Sequence, residues 1–385
     1  MRKLDKEKLN RNLLARIERD IADKVIGGAS VLVAQSGEIL LEQCLGYSDV
    51  EKKVPLFKDN IFRLASMTKP ITAVAALVAE ERGYFSLTDP VIKHFPEFLE
   101  MKVGRLEGGK VLPDHPIRKE PILRDFLTHT SGFMCVSDLF LPQNEAIPPS
   151  AYESLGTMVE HCLKNTCLTF DPCEKTGYGA YLPFDILAYL IEKKSGVKYA
   201  DFINECVLYP LKIKDITYHP TDEQWRRFVK MCERNSPLEM VNVDLGKHIF
   251  EDFPLTYTCA GAGLCGNARE YFKFAEMLRR GGEYEGVRII SEDSARKLHT
   301  PYIGEELIGK NAVTAWGLSV QIRCKGYPDL TAGSYGWSGA YGTHFFIDPE
   351  NEIVAIYLKN TRWFDSHGAG MTGKHFEADV AASFE

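Results

Sequence analysis

The sequence predicts an α+β fold, with one sheet built from both ends of the chain and a mostly helical region inserted between them. Three observations predict it. Strand-length apolar runs stand near the start, at residues 29–35 and 38–47. They return only late, at residues 316–322, 342–347 and 353–358. Between them, from about Leu87 to Pro220, helical patterns alternate with polar loops that Pro113, Pro116, Pro121, Pro142, Pro148 and Pro149 interrupt. An α/β domain is therefore expected over residues 1–86 and 221–385, with a helical insertion over 87–220.

Each element has a local reason. Leu9, Leu13, Ile17 and Ile21 recur every fourth residue among charges, which marks an amphipathic first helix. Ser36-Gly37 supplies a turn between the first two strands and makes them a hairpin. A second helix begins near Pro70. Ile71, Val74, Ala75, Leu77 and Val78 form its apolar face, and Gly83 stops it. Ile186, Leu187, Leu190 and Ile191 mark a helix over residues 184–194. Asp348-Pro349-Glu350-Asn351 turns the chain between the last two strands, and a helix over 373–384 closes it.

Composition narrows the function. Hydrophobic residues make up 45% and charged residues 26% of the 385 positions, which fits a soluble globular protein. A net charge of −7 gives no general attraction to nucleic acid or to an anionic membrane surface. No apolar run is long enough to span a bilayer. Met1-Arg2-Lys3-Leu4-Asp5-Lys6-Glu7 lacks the apolar segment of a secretory signal, so the expected compartment is the cytoplasm. Ten cysteines with no C-x-x-C pair then read as reduced, buried thiols. The histidines show no ligand spacing, so neither a metal nor another cofactor is expected. Gly104-Arg105-Leu106-Glu107-Gly108-Gly109-Lys110 fits the start of a phosphate-binding loop, but Val111 stands where Ser or Thr is required. No strand is expected to lead into it, so nucleotide binding is not expected.

Ser66-Met67-Thr68-Lys69 carries the most chemistry. Three residues apart on a helix, Ser66 and Lys69 face the same side. A serine hydroxyl is a weak nucleophile until a base takes its proton, and a desolvated lysine can be that base. Three S-x-x-K tetrads occur. Ser195-Gly196-Val197-Lys198 follows a charged helix end, and Ser294-Ala295-Arg296-Lys297 lies in a polar helix start. Only Ser66 has apolar sequence on both sides. By itself the pair reads either as nucleophile and base or as a capping serine with a surface lysine.

Three further segments stand out. Tyr178, in Thr176-Gly177-Tyr178-Gly179-Ala180, reads as a packing residue or as a proton shuttle beside a cation. Gly336-Trp337-Ser338-Gly339-Ala340-Tyr341-Gly342-Thr343 reads as a turn before an edge strand or as a place where backbone approaches a ligand closely. A main-chain N–H there, with that of Ser66, would make an oxyanion hole. His129, in Leu127-Thr128-His129-Thr130-Ser131-Gly132, reads as a structural residue that orients the site, since Lys69 already supplies a base. The loops over 104–121 and 132–152 are expected to wall the site, with Cys135 near it or in the core.

These segments, in this order, resemble the serine β-lactamase-like superfamily, especially the group of class C β-lactamases, penicillin-recognising D,D-peptidases and S-x-x-K esterases. The likeness runs from Phe62-Arg63-Leu64-Ala65-Ser66-Met67-Thr68-Lys69-Pro70 through the His129 and Tyr178 segments and Phe184-Asp185-Ile186-Leu187. It continues with Gly261-Ala262-Gly263-Leu264 and Asn267-Ala268-Arg269-Glu270-Tyr271-Phe272, and ends in the Trp337 segment. The resemblance implies a β-lactamase/transpeptidase-like α/β sandwich, an antiparallel sheet flanked by helices plus a mostly helical region. It implies Ser66 as the acylated nucleophile, Lys69 as its base and Tyr178 as the proton carrier to the leaving group. The Ser66 and Ala340 N–H groups would form the oxyanion hole, and Trp337, Ser338 and Gly339 would contact substrate.

Two departures point within that group. Its third motif usually begins with a cation, where this chain has Trp337, and its tyrosine motif usually ends in Asn or Ser, where this chain has Ala180. Trp337 is similar to the esterase and acyltransferase branch, like family VIII carboxylesterases. The expectation is a carboxylesterase acting on small or medium acyl esters, its partner being a small-molecule ester or amide substrate. The alternatives are a β-lactamase or D-amino-acid peptidase, an acyltransferase using the same acyl-enzyme, and a non-enzymatic penicillin-binding-type sensor. The oligomeric state is not legible.

Overall fold

Every residue of the strand Gly28–Gln35 is buried, which explains a sequence that runs apolar without alternation. The strand is covered on both faces. On one face Val31, Val33, Phe346 and Tyr357 meet Leu9, Leu13 and Ile17 of the first helix, Lys6–Ala22, and Phe376 and Val380 of the last, Thr372–Ala381. On the other, Leu32, Ala34, Phe345, Val354 and Ile356 join the main core with Phe274, Ala275 and Leu278 of the helix Ala268–Arg279. Asp5 caps the first helix by accepting from the Glu7 and Lys8 N–H groups. The computed structural model describes residues 1–108, 110–134, 147–250, 253–309, 312–359, 361 and 369–385.

Around that strand stands an eight-stranded antiparallel sheet. Its spatial order is Thr314–Trp316, Gln321–Arg323, Tyr335–Ser338, His344–Asp348, Ile353–Lys359, Gly28–Gln35, Glu38–Asp49 and Val54–Pro55. The ends of the sequence therefore interleave in one sheet, with the strands of residues 28–35 and 353–359 paired at its centre. The helices Leu155–Asn165, Leu182–Ser195 and Tyr199–Ile203 fall between them in sequence. The fold class expected from the sequence is the one observed. No helix among the described residues is long and apolar enough to cross a membrane.

Three local expectations need correction. Residues 316–322 are not one strand. The chain turns at Gly317–Val320, where the Leu318 and Ser319 N–H groups donate to the carbonyls of Leu298 and Leu127 instead of to a strand. The expected loop holds two paired strands, Lys102–Glu107 and Lys110–Pro116, so a strand does lead into the glycine-rich segment. Leu168 pairs with the outer edge of Lys102–Glu107, whereas the strand that carries Pro113 and Pro116 is hydrogen-bonded to a strand on one side only, where proline is tolerated. Finally, the Trp337 segment is the end of a strand, Tyr335–Ser338, before it becomes a turn. Cys135 and most of the 132–152 loop lie outside the described residues; no disulfide joins any two of the nine other cysteines.

Candidate active site

The short strand Phe62–Arg63 pairs with Cys265–Gly266 and delivers the chain to a single 3-10 turn, Ala65–Met67, directly before the helix Thr68–Glu81. Ala65 has φ +47°, in the left-handed region that side chains disfavour. Its neighbours hold it there. The Leu64 N–H donates to Leu264 O at 3.0 Å, the Leu264 N–H to Thr68 Oγ1 at 3.1 Å, and the Tyr271 hydroxyl to Met67 O at 2.9 Å. This bend turns the Ser66 side chain toward Lys69.

Lys69 is fully buried. Its Nζ donates to Ser66 Oγ at 3.0 Å, to Ala180 O at 2.7 Å and to Gly261 O at 2.9 Å. The rings of Tyr178 and Phe184 each lie 4.9 Å from Nζ. This geometry has a chemical consequence. An ammonium has three protons and meets three acceptors. In the amine form two protons stay on the carbonyls, and the lone pair is left facing Ser66 Oγ. The carbonyls therefore aim the nitrogen.

The Tyr178 hydroxyl donates to Ser66 Oγ at 2.7 Å and receives the Trp337 indole N–H at 3.2 Å. Both chain neighbours of Tyr178 are tied to His129: Gly177 N–H donates to His129 O at 2.8 Å, and Gly179 N–H to His129 Nδ1 at 3.2 Å. The buried imidazole packs 4.7 Å from the Tyr178 ring and 4.4 Å from Trp316. Burial first, and the Lys69 charge second, push His129 well below the usual imidazole range. His129 thus brackets the tyrosine loop from both sides of Tyr178, and no hydrogen bond joins it to Ser66.

The third segment closes the site from the sheet side. A Cβ on Gly339 would lie 2.3 Å from Leu64 O and 2.2 Å from Thr343 Oγ1, so only glycine allows this strand end to seat on the bend that carries Ser66. Thr343 Oγ1 also donates to Leu64 O at 2.9 Å. Trp337 points to the Tyr178 side. Ser338, one residue on, points to the opposite face, where its hydroxyl is 2.8 Å from Nδ1 of its cross-strand partner His344. His344 Nε2 in turn lies 3.1 Å from Glu377.

The structure thus brings Ser66, Lys69, Tyr178, Trp337 and Gly339 together and turns the Ser338 hydroxyl away from Trp337. Sequence reasoning missed Trp316, which packs 4.6 Å from Trp337, and the two carbonyls that hold Lys69. Among the described residues no cluster of His, Cys, Asp or Glu has metal-binding geometry.

Comparison with known proteins gives the same direction. The family model described as Beta-lactamase matches residues 14–377. Protein Rv1367c of Mycobacterium tuberculosis is 27% identical over 355 residues, covering 88% of this chain and 87% of that protein. Esterase EstB of Burkholderia gladioli is 27% identical over 403 residues, covering 96% and 94%. The structure of EstCE1, described as a hydrolase with promiscuous acyltransferase activity, superposes with a TM-score of 0.75 at 21% identity over 98% of this chain and 99% of its own. A family match that spans nearly the whole sequence establishes that the chain belongs to the β-lactamase family.

Proposed function

We propose that the protein is a cytoplasmic serine carboxylesterase that acts on small or medium, uncharged acyl esters through an acyl-enzyme on Ser66. The observation that carries this reading is the convergence of Lys69 Nζ at 3.0 Å and the Tyr178 hydroxyl at 2.7 Å on one oxygen, Ser66 Oγ. Lys69 in its amine form takes the Ser66 proton as Oγ adds to the ester carbonyl. The Ser66 and Ala340 N–H groups receive the oxyanion, a pairing supported by the seat of Gly339 on Leu64 O. Tyr178 gives its proton to the departing alcohol and regains one from the nearby Lys69 ammonium. Water then repeats the addition, and the acid leaves.

Trp337 supports an uncharged substrate. It places an indole, engaged with Tyr178, where a cation would otherwise meet a substrate carboxylate. Trp337 and Trp316 form an apolar wall beside Tyr178, with Gly339 and Ser338 at the strand end.

The test is one parallel assay of the protein and its Ser66→Ala variant on short and medium p-nitrophenyl esters and a chromogenic cephalosporin. Ester turnover that Ser66→Ala abolishes, with little cephalosporin opening, is the expected result. Faster cephalosporin opening would move the protein to the lactamase branch. A burst without steady-state turnover would mark a sensor. Acyl products formed when alcohols are added would make it a transferase.

A further inference from the structure

We propose that Asp185 is a positioning residue for the nucleophile's base: its carboxylate clamps the Ala260 peptide, and so fixes the Gly261 carbonyl that aims Lys69. This deepens the esterase reading and rests on Lys69 acting as the base.

Asp185 lies in the first turn of the helix Leu182–Ser195, five residues after Ala180, and is completely buried. The Lys69 nitrogen is taken up by Ser66 and two carbonyls and not by Asp185. One oxygen accepts the Ala260 N–H at 2.7 Å, and the other accepts the Tyr257 hydroxyl. Ala260 is held a second time, because its carbonyl accepts Thr72 Oγ1 at 2.7 Å, and Thr72 in turn receives the Tyr199 hydroxyl at 2.8 Å. The next residue is Gly261, whose carbonyl accepts a hydrogen bond from Lys69 Nζ.

Gly261 also fixes the distance between the two carbonyls. A Cβ there would stand 2.2 Å from Ala180 O. Gly261 therefore lies directly against Ala180 and Tyr181, and the two lysine acceptors stand side by side. Asp185 is the tie between the helix that follows one carbonyl and the segment that carries the other. Without it, the Ala260 N–H would lose its buried partner. Gly261 O would then be free to shift, and the Lys69 lone pair would turn from Ser66 Oγ. Small misplacements of reacting groups are costly to rate.

The clamp needs an acceptor facing Ala260, not a charge. The titratable groups around Asp185 are Lys69 from the nucleophile helix, Cys162 from the helix Leu155–Asn165, Tyr199 from the helix Tyr199–Ile203, and Tyr257 and Cys259 from its own clamped segment. An uncharged amide of the same shape keeps the bond to Ala260 and still offers Tyr257 a partner. A leucine fills similar space and offers none.

The experiment compares Asp185→Asn with Asp185→Leu, and with Asp185→Ala in case leucine overpacks the site. Two quantities are read: the rate of covalent labelling of Ser66 by a fluorophosphonate, and hydrogen exchange of the peptide over residues 257–264. The expected result is Asp185→Asn within about threefold of the parent in labelling rate, with unchanged exchange. Asp185→Leu should label about 10- to 100-fold more slowly, with faster exchange at 260–261, and its KM for a p-nitrophenyl ester should stay within about twofold.

Asp185→Leu labelling as fast as the parent would overturn the clamp. Asp185→Asn labelling as slowly as Asp185→Leu would overturn it too, since the acceptor is kept and only the charge is gone. Failure of the parent itself to label at Ser66 would instead refute the esterase reading. The exchange at 260–261 then still decides whether Asp185 holds the Ala260 peptide.

Discussion

Two buried charged clusters in this protein are built in opposite ways. On the outer face of the sheet, Glu377 accepts from the Arg323 guanidinium, from Tyr327 at 2.6 Å and from His344 Nε2 at 3.1 Å. These partners outweigh desolvation and hold its carboxyl down at about 2. At the centre of the molecule, Lys69 and Asp185 are just as buried, but no ion pair joins them. Lys69 is given two carbonyls and one hydroxyl; Asp185 is given an N–H and a phenol, and burial pushes it up to about 7. A matched pair locks charge in place and serves the fold. The Lys69 nitrogen, ringed by neutral acceptors, has no ion pair to break, which suits the base that the proposed mechanism asks for.

The largest effect that sharpens this contrast is at Lys69. Lys69→Met keeps the length of the side chain and removes the nitrogen. Ester turnover per folded molecule should fall by about 10³-fold, and the melting temperature should fall modestly because the Ala180 and Gly261 carbonyls lose their buried donor. Turnover per folded molecule that stays near the parent's would mean that Lys69 is structural. The second effect has the opposite signature. Glu377→Gln leaves the Arg323 guanidinium without its charge partner and should cost about 3 kcal/mol of stability, read by urea denaturation. Turnover per folded molecule should change far less than in Lys69→Met. Unchanged stability in Glu377→Gln would erase the difference between the clusters.

How much of this was legible in the sequence follows from range. Ser66 and Lys69 are one helical turn apart, so local spacing pairs them. The strands of residues 29–35 and 353–358 announced themselves because burial on both faces leaves continuous apolar runs. Tyr178 reaches Ser66 across 112 residues, and only its place in an ordered set of motifs pointed to it. The Lys69 cradle was not legible, because a backbone carbonyl has no residue identity. Gly261 and Gly339 did leave a trace, being glycines where any side chain would collide with a carbonyl. Asp185 left another, as a single acid inside the apolar run Pro183-Phe184-Asp185-Ile186-Leu187. The turn at Gly317–Val320 hid inside an apolar stretch, since Leu318 and Val320 are buried by tertiary contact and not by a strand.

The smallest effect separates the two carboxyls by the sign of their pH dependence. Asp185 has its folded value raised, from 3.8 to about 7. Between those values the folded state binds a proton that the unfolded state has released. Its contribution is therefore full below 3.8 and is lost as pH rises toward 7. Glu377 has its folded value lowered, from 4.5 to about 2. Its contribution is present above 4.5 and is lost as pH falls toward 2. Removing the Asp185 charge should thus stabilise the protein at pH 8, and the gain should vanish on approach to pH 4. Melting curves of the parent and Asp185→Asn at pH 4, 6 and 8 should converge at the acid end and separate at the alkaline end. Glu377→Gln should do the reverse, lying furthest below the parent at pH 6 and 8 and drawing closer as pH falls through 4. Parallel curves for Asp185→Asn would mean that the central carboxyl is ionised like the outer one, and that the two clusters differ in partners but not in charge.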